Sequence, residues 1–589
     1  KADFRRYDGE VETHTEVIVS PEDDVEVRRL TVTNHGTAPL ALEVTSYLEV
    51  NLAPLGADHA HKAYSNLFVQ TEAIDEYHAL LFTRRPRSDD EPRYWGLHML
   101  ACESIGSCSW SYETDRAAFL GRLRTPVDAS AIHGDGRLTQ TTGAVLDPMC
   151  SIRQPLVIEA GQSAHLAYVT GAAKSREEVM ALAEKYSDIA NAQRAADLAW
   201  STSQIELRDL GITPEESVTF LRLASRLLLT DPHSRLKVMT DVENRLPASG
   251  LWPIGISGDD PILLVKIERL EEAPLVRQTL LAHQYWRSKG FVCDLVILNI
   301  KPSAYSSELD GRLRMLMRTG HALQLADRPG GVHLRNADHM QPDVLNLLTS
   351  MARVVITGDS GPITLQLNQR AQHPDLPDPF VPTHDAMTYP DVPRVRPELL
   401  YDNGLGGFDP VTGEYVIVLE GGRTTPAPWV NVIATPHFGT LVSEAGIGCT
   451  WAENSHENRI TTWNNDPVSD GTGECIYVRD EATGQFWSPT PLPVHDDGTY
   501  IVRHGKGYSR FEHDSHGIGH ELDWFVAAED PVRIARLRLT NTGTEARRLS
   551  VTHNVEWSLG DSRSKAQQRV VTWWDESAGV LMAHSWFNM

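Results

Sequence analysis

The sequence predicts a mainly β protein, with two β-sandwich domains joined by helices and a small α/β domain. Three observations carry this. First, the chain resembles itself: Glu22–Val50 and Glu529–Trp557 align without a gap at an offset of 507, the separation of Asn541 from Asn34. Glu22 then meets Glu529, Gly36 meets Gly543 and Glu49 meets Glu556. Two distant copies of one unit mean duplicated domains. Second, both flanks of the chain alternate apolar and polar residues between frequent turn signals, the mark of half-buried strands. Third, a central stretch alternates apolar strands with amphipathic helices, the mark of an α/β unit.

The first sandwich is expected over residues 1–172. Val25-Val27 and Ala41–Val50 alternate, with turns at His35-Gly36 and Asp135-Gly136. A helical connector follows over 173–249. One helix is expected from Glu177 to Ala199, with Ser175 and Glu178 as its capping box. A second runs from Pro214, with Thr213 as N-cap and Glu216 closing the box. The small α/β domain spans 250–365. Its strands are expected at Ile262–Ile267, Val292–Ile300, Gly331–Arg335 and Arg353–Thr357, and its helices at Pro274–Lys289, Ser307–Met317 and Pro342–Ala352. No glycine pattern there matches a dinucleotide fingerprint or a P-loop, so no nucleotide site is assigned. Residues 366–400 carry prolines 374, 377, 379, 382, 390, 393 and 397, which favours an extended linker. The second sandwich spans 401–589, with turns at Asp409–Gly413, Ala482–Gly484 and Asp496–Gly498.

The repeat also predicts that both sandwiches are cut. Lys1 falls opposite Tyr508, and related-looking sequence precedes Tyr508 from Asp402 onward. The first copy is therefore expected to lack its N-terminal part and the second its C-terminal part, as in an internal piece of a larger protein.

A formal charge of −25 with no basic patch argues against a nucleic-acid partner and is compatible with neutral sugars. There is no run of 18 apolar residues of the kind that spans a bilayer. The six cysteines, Cys102, Cys108, Cys150, Cys293, Cys449 and Cys475, have no zinc or redox spacing and read as reduced, buried thiols in a cytoplasmic setting.

The densest polar and aromatic stretch is Thr450–Asp470. Its candidate substrate-binding residues are Trp451, Asn454, Glu457, Asn458, Arg459, Trp463, Asn465 and Asp466. Flat aromatic faces stack on pyranose C–H surfaces, while amides, carboxylates and guanidinium groups bond to vicinal hydroxyls. The same residues suit a structural loop that caps its own backbone. In Gly250–Pro261, Trp252, Ser257, Asp259 and Asp260 offer adjacent carboxylates, although a turn explains Gly-Asp-Asp-Pro equally well. His504, His513, His516 and His520 cluster with irregular spacing, and His59 with His61 is weaker, so no metal site is assigned.

Asn403–Phe408 (NGLGGF), Thr425–Gly439 (TPAPWVNVIATPHFG), Thr450–Asp480, His504–His513 (HGKGYSRFEH) and Glu556–Gly560 (EWSLG) together resemble the N-terminal, galactose-mutarotase-like sandwich of family 94 glycoside phosphorylases. The two-sandwich arrangement, with GLWPIGISGDDPI and YWRSKGFVCDLVILN between the copies, is similar to the C-terminal half of cyclic β-1,2-glucan synthases and to 1,2-β-oligoglucan phosphorylases. The resemblance implies a hexosyltransferase or glycoside phosphorylase that acts on β-glucan oligosaccharides. Inorganic phosphate is its co-substrate, and no other cofactor is needed. Phosphate attacks the anomeric carbon while one carboxylic acid protonates the leaving oxygen. In the family that acid lies on an (α/α)6 barrel, so no catalytic residue is expected among these 589 residues. The barrel of the same polypeptide is then a partner, a homodimer is another, and anchoring of the full-length protein in a bacterial inner membrane is compatible. His456 and Thr462 stand where the family pattern carries arginine and proline. A stand-alone phosphorylase and a non-catalytic carbohydrate-binding scaffold remain as alternatives.

Overall fold

The computed structural model describes residues 1–88, 90–102, 110–134, 136–229, 244, 246–301, 307–318, 321–368, 377–389, 394–566 and 569–585. The protein is mainly β, as its sequence predicts. It forms two compact units: Lys1–Ser203 with Val381–Glu556, and Gln204–Phe380 with Trp557–Met589.

In the first unit, the N-terminal β region contains a seven-stranded antiparallel sheet in the order Ala2–Asp8, Val11–Val19, Val25–Asn34, Ser163–Ala173, Trp95–Cys102, Ala79–Arg84 and Val69–Ile74. A smaller sheet pairs Pro148–Ile158 with Leu40–Thr45, Leu48–Glu49 and Ser111–Asp115. Period-2 geometry divides one strand between two cores. Leu80 and Phe82 point inward to Leu100, Cys150 and Ile152 between the sheets. Ala79 and Leu81 point outward to Val179, Ala183 and Tyr186 of a helix that covers the sheet. Each such fully buried large side chain contributes roughly 1.5–3 kcal/mol.

The single helix expected from Glu177 is two, Arg176–Tyr186 and Ile189–Leu210. Ser187 Oγ donates back to the Glu184 carbonyl, and Asp188 Oδ1 accepts from Ala190 N, so a stop and a new N-cap sit side by side. Ser175 does cap the first helix, but the Glu178 carboxylate reaches the amide of Lys174 rather than that of Ser175. The capping box of Thr213 and Glu216 is complete.

The C-terminal β region of this unit contains a six-stranded sheet in the order Gly406–Phe408, Tyr415–Leu419, Tyr500–Gly505, Tyr508–Ser515, Ile518–Val526 and Arg533–Asn541. Facing sheets include Phe438–Ser443, Gly448–Ala452 and Glu474–Asp480, and Ile433, Val442, Ile476, Tyr500, Phe511 and Trp524 pack between the layers. The sequence repeat is a structural repeat. Val11 pairs with Asn34 and Val19 with Glu26; 507 positions later Ile518 pairs with Asn541 and Val526 with Arg533. Asn34 and Asn541 make the same turn, each accepting from a glycine amide, Gly36 or Gly543, and donating to a carbonyl four residues on.

The described residues of the proline-rich segment form no helix or strand between 377 and 399. Their backbone is nevertheless held: Met387 N donates to Gln485 Oε1 and Gln485 Nε2 donates to Met387 O, both at 3.0 Å. Thr383 N donates to Ala482 O at 2.8 Å.

The second unit contains a parallel four-stranded sheet in the order Val332–Asn336, Asp294–Asn299, Ile262–Ile267, Ala352–Thr357. All four strands predicted from the alternating pattern are present, within two residues at each end. Leu263, Val265, Leu295 and Ile297 face the helices Ala273–Ser288 and Ser307–Met317. Ile262, Leu264, Val296 and Leu298 face the helix Pro342–Met351 on the other side. Both faces are covered, which is why these strands read as continuous apolar runs.

Among the described residues no helix is long and apolar enough to cross a membrane. The five described cysteines are buried and form no disulfide among the described residues, and burial pushes the thiols of Cys293 and Cys449 up to about 12; Cys108 lies outside the described residues.

Candidate functional site

The Thr450–Asp470 stretch leaves the strand Gly448–Ala452, turns, returns as Arg459–Thr461 and then runs as a loop toward the N-terminal β region. Glu453 at φ 59° makes the turn possible. Asn454 Oδ1 accepts from the amides of His456 and Glu457, and Asn458 closes the hairpin through its backbone, bonding to Asn454 O and Ala452 N. Asn454 and Asn458 therefore serve the turn. Trp451 lies flat over Gly439 on the neighbouring strand, where a β-carbon would collide with its ring.

Two further groups of side chains stand beside the hairpin. The buried Arg459 guanidinium sits 5.6 Å from the centroid of the half-buried Trp463 ring, and its Nε donates to Ser455 O at 3.1 Å. At the hairpin tip, His456 Nδ1 and the exposed Glu457 Oε1 are 2.6 Å apart, with the His61 ring 6.0 Å from that of His456. His61 sits at the kink within the helical segment Leu55–Asn66 of the N-terminal β region. The His59 side chain lies outside the described residues.

Asp466 does something else. Both its oxygens accept from Arg116, Nη1 and Nη2, at 2.8 Å each, while Asp466 Oδ1 also takes the amides of Val468 and Ser469. Arg116 Nη1 reaches Asp147 at 2.8 Å as well. Burial pushes the Asp466 carboxyl up, and the bidentate arginine overrides it, leaving the group below its usual range. Four residues further on, Asp470 shares Arg122 with Glu444, at 3.1 and 3.0 Å. Burial pushes Asp470 up to about 6, with Glu444 adding to the shift and Arg122 opposing it. The end of the stretch thus fastens the two β regions together, with Val468 packed against Phe119 and Leu120.

The eight sequence candidates therefore divide by task. Arg459 and Trp463 form one stacked pair, Glu457 stands beside His456, and Trp451, Asn454 and Asn458 shape the hairpin. Asn465 takes a left-handed turn at φ 49°, and Asp466 is an ion-pair anchor. Sequence reasoning missed Arg116, Asp147, Arg122 and Glu444. Arg116 and Asp466 lie 350 residues apart, and no local spacing signals such a pair.

The other candidates are structural. His513 Nε2 meets Asp496 at 3.0 Å, and His520 Nε2 accepts from Trp487 Nε1 at 2.7 Å. His504 bonds to Ser509 and to the Trp429 carbonyl, and His516 stacks on Trp487. Among the described residues, the group of three side chains close enough to share an ion is Asp3, His14 and Glu16; Lys1 already lies 2.6 Å from Glu16 there. Ser257 Oγ accepts from the Asp259 amide, so the Gly-Asp-Asp-Pro segment is a turn.

The family model of the glycosyl hydrolase 94 supersandwich domain matches residues 1–189 and 413–589, which takes in both copies of the repeat. The chain belongs to this glycosyl hydrolase 94 family. It is 33% identical over 596 residues to the cyclic beta-(1,2)-glucan synthase NdvB of Rhizobium meliloti, a match covering 99% of this chain and 21% of that protein. It is 32% identical over 190 residues to the N,N'-diacetylchitobiose phosphorylase of Vibrio furnissii, covering 31% of this chain and 23% of that one. Against the solabiose phosphorylase of Paenibacillus borealis it is 31% identical over 192 residues, covering 31% and 24%. The chain thus spans about a fifth to a quarter of the length of these glycosyl hydrolase 94 relatives.

Proposed function

We propose that this chain is the carbohydrate-binding and structural part of a β-1,2-glucan-active enzyme of the cyclic glucan synthase type. The acid catalyst and the phosphate site lie on an (α/α)6 barrel of the same polypeptide, outside these residues. The observation that carries the reading is that a cyclic β-(1,2)-glucan synthase matches 99% of the chain, including the α/β insert between the two sandwich copies. The phosphorylase relatives match about a third of the chain, which makes a stand-alone phosphorylase the second reading.

Within this part, the half-buried Trp463 ring, backed by the buried Arg459, and the His456–Glu457 tip are the proposed sugar contacts. A half-buried indole supplies a stacking face and the charged groups supply hydrogen bonds to hydroxyls. Asp466, held by Arg116, positions the loop and does not contact sugar. Inorganic phosphate is the proposed co-substrate, and the proposed setting is the cytoplasmic side of a membrane-anchored protein. The test is Trp463→Ala in the whole enzyme. Oligoglucan turnover should fall about tenfold while Tm changes by no more than about 2 °C. Unchanged kinetics would remove this loop from the substrate site.

A further inference from the structure

The parallel sheet of the second unit has the strand order 3-2-1-4: the chain steps from Ile262–Ile267 to Asp294–Asn299 and Val332–Asn336, then crosses back to place Ala352–Thr357 on the other side of the first strand. Where the winding reverses, the connections leave the sheet in opposite directions, and a crevice opens at the carboxyl ends of the two strands. The structure has such a crevice. A cleft of about 700 Å³ is lined by Arg269 and Glu271 after the first strand, Gly358 and Pro362 after the fourth, and Arg277 and Gln278 on the following helix. This is within the ~300–1,000 Å³ span of small-molecule sites. A second cleft of about 590 Å³ shares Glu271, Pro274 and Arg277 with it and continues toward Arg312, so the two make an extended groove.

The chemistry of the groove narrows its occupant. In doubly wound nucleotide sites, a phosphate lies over the turn that follows the first strand. Here the Glu272 carboxylate lies there: it accepts from the amides of Glu268 and Arg269 and from Arg269 Nε at 2.9, 3.2 and 2.8 Å. Gly358 makes room for it, since a β-carbon at that position would collide with the carboxylate. The turn is already filled by an anion, and among the described residues no aromatic ring lines the larger cleft to stack a base. Glu271, Arg277 and Gln278 line the cleft with no side-chain hydrogen bond or ion pair among the described residues. They offer an acceptor, a planar fork of donors and a group that does both, the set that pairs with vicinal hydroxyls.

We propose that this groove binds a neutral polyhydroxylated chain, an oligosaccharide, at a site separate from the Thr450–Asp470 loop. Only the choice of a β-1,2-linked probe rests on the function proposed above. The test is hydrogen exchange on this 589-residue chain with β-1,2-gluco-oligosaccharides, cello-oligosaccharides, ATP and NAD at millimolar concentration. An oligosaccharide should protect amides of 268–281 and 357–363, and neither nucleotide should. Arg277 is exposed and makes no side-chain hydrogen bond or ion pair among the described residues, so Arg277→Ala should weaken that protection about tenfold without changing Tm. Protection by cello-oligosaccharides alone would uphold the site and overturn the β-1,2 reading. Protection by a nucleotide, by no saccharide, or equally in Arg277→Ala would overturn the site.

Discussion

Arg116 shows how one side chain decides whether a polar loop is a ligand site or a fastening. Its side chain is 7% exposed, and it holds Asp466, Asp147 and, at 3.1 Å, Glu49. Removing one partner of such a pair strands the other charge in a poorly solvated place. Arg116→Ala is therefore expected to cost about 3–5 kcal/mol by urea unfolding. Asp466→Asn keeps the shape, leaves Arg116 its bond to Asp147, and should cost less. Asp470 gives a pH signature of opposite sign to Asp466. Its folded carboxyl titrates near 6, above its ordinary 3.8, so the ionised form is a penalty on the fold. That penalty is present above pH 6 and is relieved as pH falls through 6 toward 4. The stability difference between the protein and Asp470→Asn should shift by roughly 1–3 kcal/mol in favour of the protein between pH 7.5 and pH 5. Equal slopes in the two proteins would refute the assignment.

At the scale of elements, the repeated turns allow a matched pair of tests. Asn34 is buried, and its amide also donates to the Ile158 carbonyl at 3.0 Å, which ties the turn to another strand. Asn541 makes the same turn in solvent. Asn34→Ala should cost about 2 kcal/mol and Asn541→Ala about 0.5–1, because only the first leaves buried groups unsatisfied. Elements defined by local pattern were legible: the four parallel strands and the Thr213 cap followed from period and turn chemistry. The break at Ser187-Asp188 was not, since Ser and Asp inside a helical pattern are tolerated when they face solvent. Nor was the hold on the proline-rich segment, where reciprocal amide bonds to Gln485 depend on a residue nearly 100 positions away. For the candidate loop, composition located the stretch but could not assign its parts. Asn, Asp and Trp serve turns, ion pairs and packing with the same atoms that would bind sugar.

At the scale of the whole molecule, the net charge of −25 makes self-repulsion a general term in stability. Raising sodium chloride from about 10 to 150 mM shortens the screening length to about 8 Å and should raise Tm, as a thermal scan would show. A fall would mean that favourable ion pairs such as those of Arg116 outweigh the repulsion. The duplication was the part of the architecture most legible from sequence, because a repeat needs no propensity argument to be seen. What it could not convey is which cross-strand pairs the two copies share.

Val25–Asn34 pairs with Val11–Val19 as Arg533–Asn541 pairs with Ile518–Val526, and the position 507 beyond its other neighbour, Ser163–Ala173, falls past residue 589. The earlier copy presents Thr31 where the later one presents Arg538, across from Glu521, beside an Arg536–Asp523 pair that repeats Arg29–Glu16. Duplication thus kept one cross-strand arginine–carboxylate rung in both copies, and the later copy carries a second rung beside it.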